Sequence, residues 1–185
     1  MSKIKENSGV LVQGHIKIHD PESGAVFVNK RNAIHYENMS IALAESVANQ
    51  GQGFISSMAF GNGGTSVDPT GIITYLTPNS TGTNASLYNQ TFTKIVDDRS
   101  VSNLDPQRNK IETRHVNGTN YTDVVVTCLL DYGEPNGQDA TDTASASDSL
   151  YVFDELGLVS YASSGTGKLL THVIFHPVQK SLNRL

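Results

Sequence analysis

Short runs of β-branched and aromatic residues, each bounded by turn-forming residues, recur along most of the chain and restrict what it can fold into. Such runs are typical of strands in all-β proteins, where turn signals follow one another at close intervals. In the first run, Ile16 and Ile18 alternate with polar residues, which indicates a strand with one buried face. In chain order the runs are GVLVQGHIKIHD (9–20), AVFVNK (25–30), FISSMAF (54–60), GIITYLT (71–77), TFTKIV (91–96), KIETRHV (110–116), YTDVVVTCLL (121–130), LYVFDELGLVSY (150–161) and KLLTHVIFHPV (168–178).

Turn signals join two pairs of these runs into hairpins. DPESG (20–24) separates the first two strands, and Asn117-Gly118 predicts a two-residue turn between KIETRHV and YTDVVVTCLL. One segment, YENMSIALAESVANQ (36–50), has helical spacing instead and ends at a glycine-rich stop. Its apolar stripe consists of Tyr36, Met39, Leu43 and Val47. The sequence therefore predicts a mainly β fold, a β-sandwich or barrel of about 8–10 short strands with one packed α-helix at about residues 36–50.

The stretch YGEPNGQDATDTASASDS (132–149) is small, acidic and without periodicity. We expect it to be a flexible loop within a single domain that covers residues 1–185. Its aspartates, among them Asp139 and Asp142, lack the spacing of a calcium-binding loop. A solvated loop is therefore expected, and a weak Ca²⁺ site is the alternative.

The charge balance limits the possible partners. With a net charge of −5 and no basic stripe, the chain is not expected to bind nucleic acid through phosphate neutralisation. It contains no apolar run of about 18 residues and no apolar leader at its start, so neither a membrane span nor a secretory signal is expected. The one cysteine, Cys128, lies in an apolar run and is predicted to be a small buried side chain.

The sequence GTGK (165–168) is shared with part of a nucleotide-binding P-loop. A P-loop also needs an earlier glycine and a hydroxyl after the lysine, but Ala162 and Leu169 occupy these positions. The residues that follow are β-branched and aromatic, which favours a strand over the helix that a phosphate site requires. We therefore expect a loop between two strands.

The remaining chemistry-bearing residues also favour structural roles. His172 and His176 lie about 13 Å apart on one strand, too far to share a metal ion, and no metal or cofactor is predicted. Asp154 and Glu155 are adjacent on a strand and are expected to point to opposite faces, so no catalytic site is predicted. A hydrolase that uses these carboxylates is the enzymatic alternative. GNGG (61–64) is interpreted as a turn that needs positive φ, with an anion-binding nest as the alternative.

Two longer stretches carry a distinctive order of motifs. The first is GHIKIHDPESGAVFVNKRNAI, then the helix, then MAFGNGGTSVDPTG; the second is FDELGLVSYASSGTGKLLTHVIFHPVQK. Together they resemble small virion proteins of tailed bacteriophages, in which a Glu-Leu-Gly-Leu strand, a polar turn and a Phe-x-Pro strand follow one another in tail, baseplate and fibre-attachment modules. The matching positions are the loop Gly61 to Thr65, then Glu155, Leu156, Gly157, Leu158, Leu169, Leu170, Phe175, Pro177, Val178 and Lys180.

The resemblance implies a virion structural protein of the tail or neck, without enzymatic activity. It would be a collar, baseplate or fibre-adaptor subunit that forms a homo-oligomer and packs against other proteins of the tail, neck or capsid. The expected location is the virion, after synthesis in the host cytoplasm. Family members that carry fibres continue beyond the C-terminal motif, whereas this sequence ends at Leu185, so a compact subunit is expected.

Two other functions remain open. One is a capsid decoration (cement) protein. The other is a carbohydrate-binding or receptor-binding β-sandwich, in which Tyr75, Tyr88 and Tyr132 would replace the tryptophan that the chain lacks. In each case the polar loops are the expected contact surfaces, since long loops usually carry function. The candidate contact residues are Gly61, Asn62, Gly63, Gly64, Thr65, Tyr88, Tyr132, Asp139 and Asp142.

Overall fold

The computed structural model describes residues 9–135, 150–181 and 185 of the chain. Ten strands and one helix lie within these residues. In chain order they are β1 (Gly14–His19), β2 (Val26–Ile34), α1 (Tyr36–Val47), β3 (Ile55–Gly61), β4 (Thr65–Val67), β5 (Ile73–Tyr75), β6 (Gln90–Ile95), β7 (Lys110–His115), β8 (Thr122–Thr127), β9 (Leu150–Ser160) and β10 (Thr171–Ser181).

Six strands form one antiparallel sheet in the order β1-β2-β10-β9-β3-β6. β4 pairs with β5, and β7 pairs with β8, as two separate ladders. The prediction of a mainly β protein with one helix is confirmed. The large sheet is open, with β1 and β6 at its edges, so its strands do not close into the barrel that was one of the two predicted architectures.

The middle of the sheet is the most buried part of the described chain. Residues 171–175 of β10 and 153–157 of β9 are all buried, so both faces of these strands are covered. Phe60, Phe153 and Phe175 belong to the larger apolar cluster, and Leu87 joins Ala59 in a smaller one. The buried stretches of these central strands combine apolar residues with the polar residues Asp154, Glu155, Thr171 and His172.

The helix does not bury the predicted apolar stripe. Tyr36 is 62% exposed and Val47 is 87% exposed, whereas Asn38 and Ala42 face the interior. The Nδ2 group of Asn38 donates a hydrogen bond of 3.0 Å to the Leu169 carbonyl and so fixes which side of α1 faces the sheet. The predicted helix is present, but the side that it buries is not the predicted apolar stripe, because a specific polar contact and the small Ala42 determine its packing.

Several turns differ in detail from expectation. β1 begins at Gly14, so residues 9–13, with the apolar run Val10–Val12, lie outside the ladder. The glycine-rich stretch after β3 contains β4, which the sequence did not predict. β7 and β8 form the expected hairpin, but residues 116–121 join them where a two-residue turn was predicted, and Gly118 has a φ of 88°. GTGK lies in the loop between β9 and β10, as predicted.

Three remaining expectations concern the rest of the chain. Asp139 and Asp142 lie outside the described residues. Among the residues that are described, no helix is long and apolar enough to cross a membrane.

Cys128 is partly buried against the larger apolar cluster, and this burial raises the pKa of its thiol to about 12. A thiol that remains protonated near neutral pH is a poor nucleophile.

Candidate functional site

An irregularity between β9 and β10 sets the geometry of the candidate site. Ile174 pairs with Glu155 and Val178 pairs with Phe153, so three residues of β10 lie opposite Asp154 alone. Pro177 is one of the three, and proline suits a bulge because it has no N–H group to donate to the ladder. The regular alternation of side chains is broken at this point.

Asp154 binds the start of the segment that follows β3. Its Oδ1 accepts a hydrogen bond from the Gly64 N–H at 2.8 Å, and its Oδ2 accepts one from the Thr65 N–H at 2.8 Å. The Thr65 hydroxyl also donates to Oδ2. The buried carboxylate therefore holds the chain at the beginning of β4.

Glu155 binds both ends of one long segment, residues 62–89, which we call the cover segment. Its Oε1 accepts hydrogen bonds from the N–H groups of Gly63 at 3.1 Å and Asn89 at 2.8 Å. Its Oε2 accepts from the Tyr88 N–H at 2.9 Å and faces His172 Nε2 at 3.0 Å. One fully buried carboxylate therefore closes the cover segment into a loop over the sheet.

His172 adds a third attachment in the middle of the cover segment. Its Nδ1 accepts a hydrogen bond of 2.7 Å from the Asn79 N–H, so this nitrogen carries no proton. The ring proton is therefore on Nε2 and is donated to Glu155. His172 is 0% exposed and the ring of Tyr88 lies 5.8 Å from it, centroid to centroid, so the neutral imidazole is enclosed.

A second buried histidine holds the same segment from the helix. His35 caps the N-terminus of α1, where its Nδ1 accepts a hydrogen bond of 3.2 Å from the Asn38 N–H. Its Nε2 lies 2.9 Å from the Gly82 carbonyl, to which it donates. The cover segment is thus tied to β9, β10 and the start of α1 through side chains of the core.

The electrostatics of Glu155 follow from these contacts. Burial alone would raise the pKa of its carboxyl, because a charge loses solvation in the interior. The hydrogen bonds from His172 and from the N–H groups of Asn89, Tyr88 and Gly63 outweigh burial and hold the pKa below its ordinary value. Glu155 is therefore an anion at neutral pH, and its charge is neutralised by donors rather than by a cation.

We expect this site to weaken under acid. Because the pKa of Glu155 is lower in the folded chain than in the unfolded chain, its contribution to stability is present above the unfolded pKa, about 4.3, and is lost as pH falls through the folded value. Urea unfolding midpoints of the chain and of Glu155→Gln, measured at decreasing pH from pH 7, would approach each other as the pH falls below the unfolded pKa. A difference between the two that stayed constant across this range would contradict the expectation.

The glycines of the GNGG sequence are required by close approach. A Cβ on Gly61 would lie 2.5 Å from Glu155 Oε1, and a Cβ on Gly64 would lie 2.9 Å from Ile174 Cγ2. None of Gly61, Gly63 and Gly64 has the positive φ that the sequence interpretation assigned to them. The alternative interpretation, an anion-binding nest, describes the N–H groups of residues 63–65 better, and the anions are the chain's own carboxylates.

The structure also corrects the prediction that Asp154 and Glu155 point apart. Both carboxylates accept hydrogen bonds from consecutive N–H groups of the same loop, because the bulge opposite Asp154 interrupts the alternation of faces. The arrangement fastens a loop to a sheet. Glu155 and His172 are each 0% exposed, so in this conformation they meet neither solvent nor a ligand.

The other predicted site residues are spread over the molecule. Tyr88 belongs to the cover segment, where its hydroxyl donates to the Thr77 carbonyl at 2.7 Å. Tyr132 is exposed and donates to Glu22, at the turn between β1 and β2. Lys180 is buried and its Nζ donates to the Asp131 carbonyl at 3.1 Å. The Asn62 N–H donates to the Asn89 carbonyl. Gly157 and Leu158 lie in β9, and Phe175 belongs to the larger apolar cluster.

Sequence reasoning did not identify His172 and Asn79 as parts of this cluster. His172 and Glu155 are diagonal neighbours on adjacent strands, a relation that depends on the strand register. The sequence signal that could have identified this pair is an acidic residue on one strand and a histidine on the next strand, with a short loop between the two strands. Within the described ranges, no three His, Cys, Asp or Glu side chains are grouped as metal ligands would be.

No protein-family model matches this chain, and no curated protein or solved structure matches it either.

Proposed function

We propose that this chain is a structural subunit of the tail or neck of a tailed bacteriophage, which assembles as a homo-oligomer against other virion proteins. The observation that carries the proposal is that three of the four residues in the apolar stripe of α1, Tyr36, Leu43 and Val47, are exposed to solvent, while Met39 is half-buried. Contiguous exposed apolar surface usually marks a protein–protein contact. An exposed apolar helix face is better explained by contact with a partner protein than by packing within the chain itself.

The buried cluster is consistent with an assembly role. Its carboxylates and imidazole are used to hold the cover segment against β9 and β10. A subunit that presents the same surface to many neighbours needs that surface to be rigid, because ordering a loose loop on binding costs free energy. The cluster supplies this rigidity for the cover segment, which contains Asn62, Gly63, Gly64, Thr65 and Tyr88 of the predicted contact residues.

The sequence resemblance supports the proposal independently. Three residues of its C-terminal motif occupy positions that restrict residue type. Glu155 closes the cover segment, Pro177 lies in the bulge, and Gly157 lies against β10, where a Cβ would be 2.6 Å from the Thr171 carbonyl. Structural roles at these three positions are consistent with a module whose task is assembly.

Quantitative mass spectrometry of gradient-purified particles tests the proposal. Particles of the phage that encodes the chain should contain it at a fixed copy number, on the order of six or twelve for a ring in the tail or neck. Immunogold labelling should then place it at that part of the particle. Hundreds of copies over the head would instead indicate a capsid decoration protein.

A chain that is abundant in extracts of infected cells but missing from purified particles is not a virion component, and the proposal would be wrong.

A further inference from the structure

The connection between β7 and β8 contains an Asn-Gly pair, Asn117-Gly118, whose chemistry the proposed function does not use. In such a pair the main-chain nitrogen of the glycine can attack the side-chain amide of the asparagine, because glycine has no Cβ to hinder the approach. Proteins of hyperthermophiles contain fewer asparagines, in line with this reactivity. The sequence has three Asn-Gly pairs, at 62–63, 117–118 and 136–137, and the last of them lies outside the described residues.

The turn leaves Asn117 and Gly118 free to react. The Thr119 N–H donates to the Val116 carbonyl at 3.1 Å and so closes a β-turn. Asn117 and Gly118 are the two central residues of this turn, and both are exposed. Among the described residues, neither of them takes part in a hydrogen bond. The peptide group that joins the two residues can therefore rotate, and solvent reaches both reacting groups.

The first Asn-Gly pair, Asn62-Gly63, is held in place by its neighbours. The Gly63 N–H, which would be the attacking group, donates to Glu155 Oε1 at 3.1 Å. The side-chain oxygen of Asn62 accepts a hydrogen bond of 2.5 Å from Asn89 Nδ2. A Cβ on Gly63 would lie 2.7 Å from the main-chain nitrogen of Asn89, so the chain is closely packed here. The two reacting groups cannot approach each other without breaking contacts that hold the cover segment.

We propose that Asn117 is a site of spontaneous deamidation, and that the fold protects Asn62 from the same reaction. The Gly118 nitrogen loses its proton to hydroxide and bonds to Cγ of Asn117, and the side-chain nitrogen takes a proton from water and leaves as ammonia. Water then adds to one of the two carbonyl carbons of the five-membered imide and breaks the bond from that carbon to the Gly118 nitrogen. Cleavage at Cγ gives aspartate, and cleavage at the main-chain carbonyl carbon gives isoaspartate.

The product changes the tip of the hairpin in charge and in length. Either acid adds one negative charge to a chain whose net charge is −5, and isoaspartate also lengthens the main chain by one carbon atom. The change falls at the turn, which sets the register of the two strands in a hairpin. Within the described chain, β7 and β8 share no ladder with the large sheet, so a modified chain should keep that sheet. The inference does not depend on the proposed tail or neck function.

Mass spectrometry of the purified full-length chain, incubated for weeks in mildly alkaline buffer, tests the proposal. Fragmentation that resolves single residues should locate the exchange of the amide for an acid at Asn117, and anion-exchange chromatography should show a later-eluting form. Conversion at Asn62 should be at least about tenfold slower, which corresponds to a barrier higher by about 1.4 kcal/mol. Isoaspartyl methyltransferase should label the isoaspartate form.

Two controls separate the effect of the fold from that of the local sequence. In concentrated guanidinium chloride, Asn62 and Asn117 should convert at similar rates, because glycine follows both and the fold no longer protects Asn62. Asn117→Gln keeps an amide at the same exposed position but would need a larger ring, so it should show no conversion at residue 117. Equal rates at Asn62 and Asn117 in the folded chain would overturn the proposal. An Asn117 that stays intact in the folded chain but converts in denaturant would also overturn it.

Discussion

Glu155→Gln should lower the free energy of unfolding by about 3 kcal/mol or more, because a glutamine cannot replace a carboxylate that accepts four hydrogen bonds. Whichever way the new amide points, its NH₂ group faces two donors, either those of Gly63 and Asn89 or those of Tyr88 and His172. These buried donors then lose their acceptor. For a chain of this length the melting temperature should fall by about 10 °C, measured by differential scanning calorimetry.

Matched substitutions distinguish the buried acceptor from a general effect of charge. Asp98→Asn makes the same chemical change at an exposed position and should leave the melting temperature nearly unchanged. His172→Gln removes one of the four donors to Glu155 together with the acceptor for Asn79, so its effect should be smaller than that of Glu155→Gln. If Glu155→Gln and Asp98→Asn melted at the same temperature, the proposed role of Glu155 in holding the cover segment would be wrong.

Gly157→Ala should be comparably destabilising for a steric reason. The added methyl group would lie 2.5 Å from Leu169 Cδ1 and 2.6 Å from the Thr171 carbonyl oxygen. The second contact is with the backbone of the neighbouring strand, which cannot move away without disturbing the ladder between β9 and β10. Overpacking of this kind costs about 1–3 kcal/mol and sometimes more, and we expect the upper end here.

Gly9→Ala is the control for this experiment, since a Cβ at Gly9 would have no heavy atom within 4 Å. Urea unfolding of both variants should show a lower midpoint for Gly157→Ala only. Equal midpoints for the two variants would mean that β9 and β10 can separate without cost, contrary to the close contact seen here.

Much of the fold was predictable because its signals are local. The runs that became β9 and β10 are long, β10 is rich in β-branched residues, and the DPESG turn has the residues that a tight hairpin needs. The extent of β1 was less predictable, because a strand requires a partner as well as a suitable sequence. Residues 9–13 have the sequence of a strand and lie outside the ladder that pairs β1 with β2.

The candidate site was harder to predict because it depends on register. Glu155 and His172 meet only because β9 and β10 pair with a particular offset, and Asp154 joins them only because β10 bulges opposite it. The buried face of α1 was equally hard to predict. Its apolar stripe favours one face, but the hydrogen bond from Asn38 to the Leu169 carbonyl selects another.

The N–H groups of Gly63 and Asn89 both donate to one oxygen of Glu155. The cover segment should therefore tolerate changes between its two ends. Its two ends are held together by the core, so the residues between β4 and β5 can change in length while the sheet keeps its geometry. Each doubling of the length of a flexible loop costs only about 0.6 kcal/mol in closure entropy. Foreign peptides grafted at the exposed residues 68–71 would therefore be displayed on the outside of an intact fold.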